Sequence, residues 1–143
     1  MRPIYETEAD RVAERQIITK MMPHWRFEDA LKLPIGYGVD FALIRDDDIM
    51  GFAEIKARNL VFGFGDGYYL ALQKVIRARE ITTASGIGCR LVVRFSDGKV
   101  RWCNIGDYTP SRIIPHGRRQ QRDRYDTEPC VVYPWSKFRE VQP

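Results

Sequence analysis

The chain has 143 residues, 44% hydrophobic and 29% charged, with a formal net charge of +4 and a pI near 9.1. That length holds one domain with a single core over 1–143, and no apolar run approaches the roughly 18 residues of a membrane span, which excludes a membrane-embedded helix. The mild basic excess permits a polyanionic partner without demanding one.

Residues 1–6 turn acidic at once and lack the apolar core of a secretion signal, so a cytoplasmic protein is expected. From Thr7 to about Met22, Ala9, Val12, Ala13, Ile17 and Met21 recur at steps of three and four, the pattern of an amphipathic helix. Thr7 can cap it, Glu8 and Asp10 suit the positive end of its dipole, and Pro23 is expected to stop it. Glu14 lies beside the apolar stripe, either as one more solvated charge or as a side chain looking along the core edge towards a site. Trp25 and Phe27 are expected to cover the core where the helix ends, and Pro34, Gly36 and Gly38 break any regular structure after it.

Val39 to Ile44 reads as a strand, Arg45 to Asp48 as a polar turn, and Ile49 to Lys56 as the antiparallel partner. These strands are too continuously apolar to have a wet face, which predicts a sheet covered on both sides. Asp40, Glu54 and Lys56 are the anomalies there, because a charge is seldom set in a covered strand unless it is paired or acts on something. Alternation puts Glu54 and Lys56 on one face and Ile55 on the other. Two acids and a lysine meeting at one spot can hold a divalent cation and keep an ammonium beside it. They can also form a buried ion-pair cluster. Asp46, Asp47 and Asp48 lack the spacing of a calcium loop and read as a solvated hairpin tip.

Residues 58–67, with Gly63, Gly65 and Gly67 among Phe62, Phe64 and Tyr68, read as a mobile flap whose aromatics either touch a substrate or tuck into the core. Tyr69 to about Ser85 reads as the second helix, with Leu70, Leu72, Val75, Ile76 and Ile81 as its buried set and Gly86 beyond its end. Gln73, Lys74 and Arg77 come early on it, either solvated or held near the carboxylates. Cys89 to Phe95 and Lys99 to Ile105 read as strands joined through Asp97-Gly98. From Lys74 to Arg101 seven Lys and Arg stand against two acids, so positive charge follows the acidic pair in sequence. An arginine-heavy loop near 111–128 precedes a last strand from Cys130 to Tyr133, and Trp135 and Phe138 are expected to cap the core. Cys89, Cys103 and Cys130 fit neither a zinc spacing nor a disulfide framework and read as small buried hydrophobes.

The order helix, hairpin with Asp40 followed by Glu54-Ile55-Lys56, helix, strand resembles the PD-(D/E)XK nuclease superfamily over roughly Thr7 to Arg94. Val39 stands where the name-giving proline would be. The resemblance implies an α/β, restriction-endonuclease-like core in αβββαβ order, a central mixed sheet with a helix on each side. It further implies Mg²⁺, with Mn²⁺ able to substitute, held by Asp40, Glu54 and the Ile55 carbonyl, with Glu14 completing that shell or helping a second ion. Lys56 would assist the water or stabilise the pentacovalent state, and Arg58, Gln73, Lys74 and Arg77 would hold the DNA backbone. The expected activity is hydrolysis of DNA phosphodiester bonds by a small phage-type or resolvase-like nuclease, in the host cytoplasm if phage-encoded. A homodimer is compatible with this. The competing class is a non-catalytic nucleic-acid-binding or assembly protein on the same scaffold.

Overall fold

The computed structural model describes residues 7–106, 110, 112–116 and 127–141. Thr7 opens helix α1 (Glu8–Trp25) through a reciprocal capping box, its hydroxyl accepting from the Asp10 N–H and the Asp10 carboxylate accepting from the Thr7 N–H. Pro23 does not stop this helix, contrary to the sequence expectation. A proline in the last turn forfeits a single backbone hydrogen bond, and Trp25 is held beyond it by the Trp102 ring, edge-on at 5.3 Å. The helix ends instead at Arg26, in the left-handed region at φ 57°, whose N–H donates to the Met22 carbonyl.

Six strands form the main sheet in the order β1 (Asp29–Lys32), β2 (Phe41–Arg45), β3 (Asp48–Ala57), β5 (Cys89–Arg94), β6 (Val100–Ile105) and β9 (Arg139–Glu140). All neighbours are antiparallel except β3 and β5, which run parallel and are joined through helix α2 (Leu72–Ser85). The expected hairpin is β2 and β3, closed by Asp46 and Asp47, both at positive φ, which aspartate tolerates in a tight turn. The edge strands β1 and β9 show no clear alternation in sequence; both are short and largely exposed.

A second, smaller sheet places β8 (Glu128–Tyr133) between β4 (Tyr68–Ala71) and β7 (Ile113–His116). The expected start of the second helix at Tyr69 is therefore corrected: Tyr69 to Ala71 pair with β8, and the helix begins at Leu72. Leu70 is buried, but as a strand residue, and Ile76, expected inside, is about half exposed. The helix ends at Gly86, as read from sequence.

Alternation along β2 and β3 splits the core in two. Phe41, Leu43, Ala53 and Ile55 face α1 with Ile17, Ile18 and Met21, while Ala42 and Phe52 face α2 and the small sheet with Val75, Ala78, Val131 and Tyr133. The fold is thus a central mixed sheet with a helix on each side, as expected. The three cysteines are free and buried. The aromatics of the 58–67 loop divide: Phe62 packs edge-on against Phe95, Trp135 and Phe138, and Phe64 is 76% exposed. Arg118, Arg119, Arg122 and Arg124 lie outside the described residues. No helix among the described residues is long and apolar enough to cross a membrane.

Candidate active site

Strand β2 leaves its ladder at Asp40, whose N–H still donates to the Ala53 carbonyl. Beyond that point β3 has no strand neighbour on this side among the described residues, and the Asp40 carboxylate takes over: Oδ2 accepts the Ile55 N–H at 2.9 Å. Because the N–H and C=O of one strand residue point to the same side, the Ile55 carbonyl is directed to this edge as well. The parallel partner β5 covers the other side of β3, from Phe52 against Cys89 to Ala57 against Arg94.

Glu54 is fully buried, which is costly for a carboxylate unless cations stand beside it. Two do. Lys56 Nζ lies 3.1 Å from Oε2, and Lys74 Nζ, reaching across from the first turn of α2, lies 3.2 Å from the same oxygen. Lys74 also donates to Glu54 Oε1 at 3.4 Å and to the Gly38 carbonyl at 2.9 Å. Neither ammonium aims a hydrogen bond at Oε2, which has no hydrogen-bond partner despite its burial. Glu54 holds the Lys56 ammonium above the usual lysine value, against the opposing effect of burial and with Asp40 adding to the rise. Tyr68 sits beneath this group, its phenol pushed up by burial and drawn back by Arg58 and Lys56.

Asp40, Glu54 and Lys56 therefore come together as the sequence predicted, and Lys74 joins them as a partner of Glu54. Glu14 reaches the group at one remove: its Oε1 is 3.1 Å from Lys32 Nζ, and that nitrogen is 3.8 Å from Asp40 Oδ1. Among the described residues no three acids, histidines or cysteines converge as ligands of one ion. The other expected positions lie further out. Arg58 is exposed and its guanidinium donates to the Ala57 carbonyl at 3.1 Å. Gln73 is exposed on α2. Arg77 is exposed, ion-paired with Glu80 at 3.8 Å, and its stem lies against Gly38 so closely that a β-carbon there would sit 2.6 Å from its Cγ. Sequence reasoning missed Lys32, and it left Tyr68, one of the aromatics about the glycine-rich loop, open between substrate and core, where it is buried. Lys32 carries no local signal, since only the pairing of β1 with β2 sets it opposite Phe41, beside Asp40.

The donor set suits a hard divalent cation. Mg²⁺ is commonly held by one or two carboxylates and keeps several waters, and this edge offers two carboxylates, one with a buried oxygen free of hydrogen bonds, and a backbone carbonyl directed alongside.

A family model described as "Phage putative PDDEXK endonuclease" matches residues 1–141. No curated protein matches the chain. Among solved structures, the Holliday junction resolvase Hjc of the archaeal hyperthermophile Archaeoglobus fulgidus superposes with a TM-score of 0.50 at 11% identity, covering 90% of this chain and 91% of that one. At such low identity the likeness speaks to the fold, which is restriction-endonuclease-like.

Proposed function

Since the chain belongs to the phage PDDEXK endonuclease family, we propose that this nuclease is a Mg²⁺-dependent deoxyribonuclease whose reacting centre is Asp40, Glu54 and Lys56. The observation that carries the reading is the wholly buried Glu54 carboxylate, with one oxygen free of hydrogen bonds, at the strand edge where Asp40 also points. Asp40 and Glu54 hold the ion, with the Ile55 carbonyl beside them. Bound there, Mg²⁺ supplies charge neutralisation and water activation for phosphodiester hydrolysis.

Lys56, kept protonated by Glu54 and Asp40, presents a positive charge to the phosphate oxygens as negative charge grows on them. Lys74 has a different task from the one expected of a phosphate-holding helix residue. Its ammonium ties Glu54 to the Gly38 carbonyl and so fixes the carboxylate relative to the loop that leads into Asp40. The exposed Arg58 and Arg77 are left to meet the DNA backbone.

The test is incubation of the purified chain with supercoiled, linear and branched DNA in Mg²⁺, in Mn²⁺ and in EDTA. Cleavage in either metal, abolished by EDTA and by Asp40→Ala, is the expected result. A wild-type protein that binds DNA and cuts none of these substrates in either metal would instead identify a non-catalytic binding protein on this scaffold.

A further inference from the structure

Lys32 lies on the edge strand β1, eight positions before Asp40, and its ammonium is fixed from three sides. Glu14 Oε1 is at 3.1 Å, Asp40 Oδ1 is at 3.8 Å, and the ring of the buried Phe41 lies 4.9 Å below it. Both acids are largely enclosed, with side-chain exposures of 13% for Glu14 and 17% for Asp40, so each depends on a nearby cation. The remaining acid, Glu54, has Lys56 and Lys74. Among the described residues these ion pairs join three carboxylates to three ammonium groups.

That balance limits how much metal the site can take. Glu14 and Asp40 come from different elements, α1 and the approach to β2, and face one another across a gap that Lys32 fills. A divalent ion bridging them would need oxygens at roughly 2.0 to 2.1 Å, in space the ammonium holds. It would also add a second double charge beside carboxylates that already have ammonium partners. On the other side of Asp40, towards Glu54 and the Ile55 backbone, no ammonium among the described residues bridges the two acids in this way, because Lys56 and Lys74 both pair with Glu54 and neither pairs with Asp40.

We propose that Lys32 is a built-in cation that occupies the position between Glu14 and Asp40 and restricts this site to a single divalent ion. This rests on the metal-dependent reading above and assigns Lys32 a positioning role, without contact to the reacting atoms. One ion then adds two positive charges beside carboxylates already paired with ammonium groups, enough to meet a phosphodiester and the further negative charge it develops.

Metal stoichiometry tests this without reference to cleavage. Calorimetric titration with Mg²⁺, and the electron paramagnetic resonance signal of bound Mn²⁺, should give one ion per wild-type chain and one for Lys32→Arg, which keeps the charge. Lys32→Met should bind two, and the double variant Lys32→Met with Glu14→Gln should return to one, because the second ion needs the Glu14 carboxylate. Circular dichroism and a cooperative melt establish that each variant is folded, and Lys32→Gln replaces Lys32→Met if the latter fails to fold. Two ions on the wild type, or one on the folded Lys32→Met and Lys32→Gln proteins, would overturn the inference alone. No ion on any of the proteins would overturn the metal-dependent reading and this inference with it.

Discussion

Lys56 illustrates how a neighbour decides what a side chain can do. Its ammonium is raised above the usual lysine value by Glu54, so the stabilisation from this pairing is complete below the unfolded value of about 10.4. It is lost only as pH rises through the higher folded value. Between about pH 6 and 9 Lys56 therefore adds no slope to folding stability and enters the reaction as a cation, unable to take a proton from water. Lys56→Met should lower cleavage by about 10²- to 10³-fold, in the range found when a transition-state donor is removed, while DNA affinity in Mg²⁺ changes little. Glu54 keeps Lys74, so the cost in denaturant stability should be about 1 to 3 kcal/mol and the protein should remain folded. Undiminished cleavage by the variant would show that the activity resides elsewhere in the chain or in a contaminant.

The join between the two sheets is where a small change at the level of elements should matter most. Gly67 immediately precedes β4, and a β-carbon there would lie 2.2 Å from the Tyr133 carbonyl oxygen and 2.8 Å from its carbon. Those are backbone atoms of β8, a strand paired on both edges and buried, so they cannot swing aside as the end of a long side chain can. Gly67→Ala should lower unfolding stability by about 1 to 3 kcal/mol or more, the range of core overpacking. Gly36→Ala, in the exposed 3-10 turn Ile35–Tyr37 with nothing within 4 Å, should stay within about 0.5 kcal/mol of wild type. Equal urea midpoints for the two variants would refute the claim that this close approach holds the small sheet in place. In sequence the same strand reads as the start of the second helix, because Leu70 and Leu72 run on into the apolar set Val75, Ile76 and Ile81. Pairing with β8, far along the chain, overrides that local preference.

For the whole molecule, a net charge of +4 is small, and its placement determines how it meets DNA. Lys32, Lys56 and Lys74 are committed to carboxylates inside the site, whereas Arg58 and Arg77 are exposed near it, Arg77 with only a long 3.8 Å pairing to the exposed Glu80. Replacing Arg58 and Arg77 together by alanine should weaken binding to DNA of any sequence. It should also reduce the slope of log affinity against log salt by roughly two, about 0.9 for each phosphate no longer neutralised. Lys74→Ala should leave that slope nearly unchanged and act through the loosened Glu54. A Lys74→Ala slope falling as far as that of the arginine pair would place Lys74 on the DNA backbone and remove its positioning role.

By itself the amino-acid sequence determined what short-range chemistry controls. The capped first helix, the β2–β3 hairpin with its aspartate turn, the Asp97-Gly98 turn and the Gly86 terminus all follow from side-chain periodicity and local backbone preference within a few residues. The convergence of Asp40, Glu54 and Lys56 was legible for the same reason: three charges in strands otherwise apolar, two of them two residues apart and the third on the paired strand. Tertiary structure alone decided the rest. Lys32 stands beside Asp40 only because β1 pairs with β2, and Lys74 reaches Glu54 only because α2 crosses back over the sheet between two parallel strands. Local sequence carries no sign of Lys32 and leaves Lys74 open between solvent and the carboxylates, since the free energy that places both comes from burying the two cores and closing the sheet, not from any preference of the residues themselves.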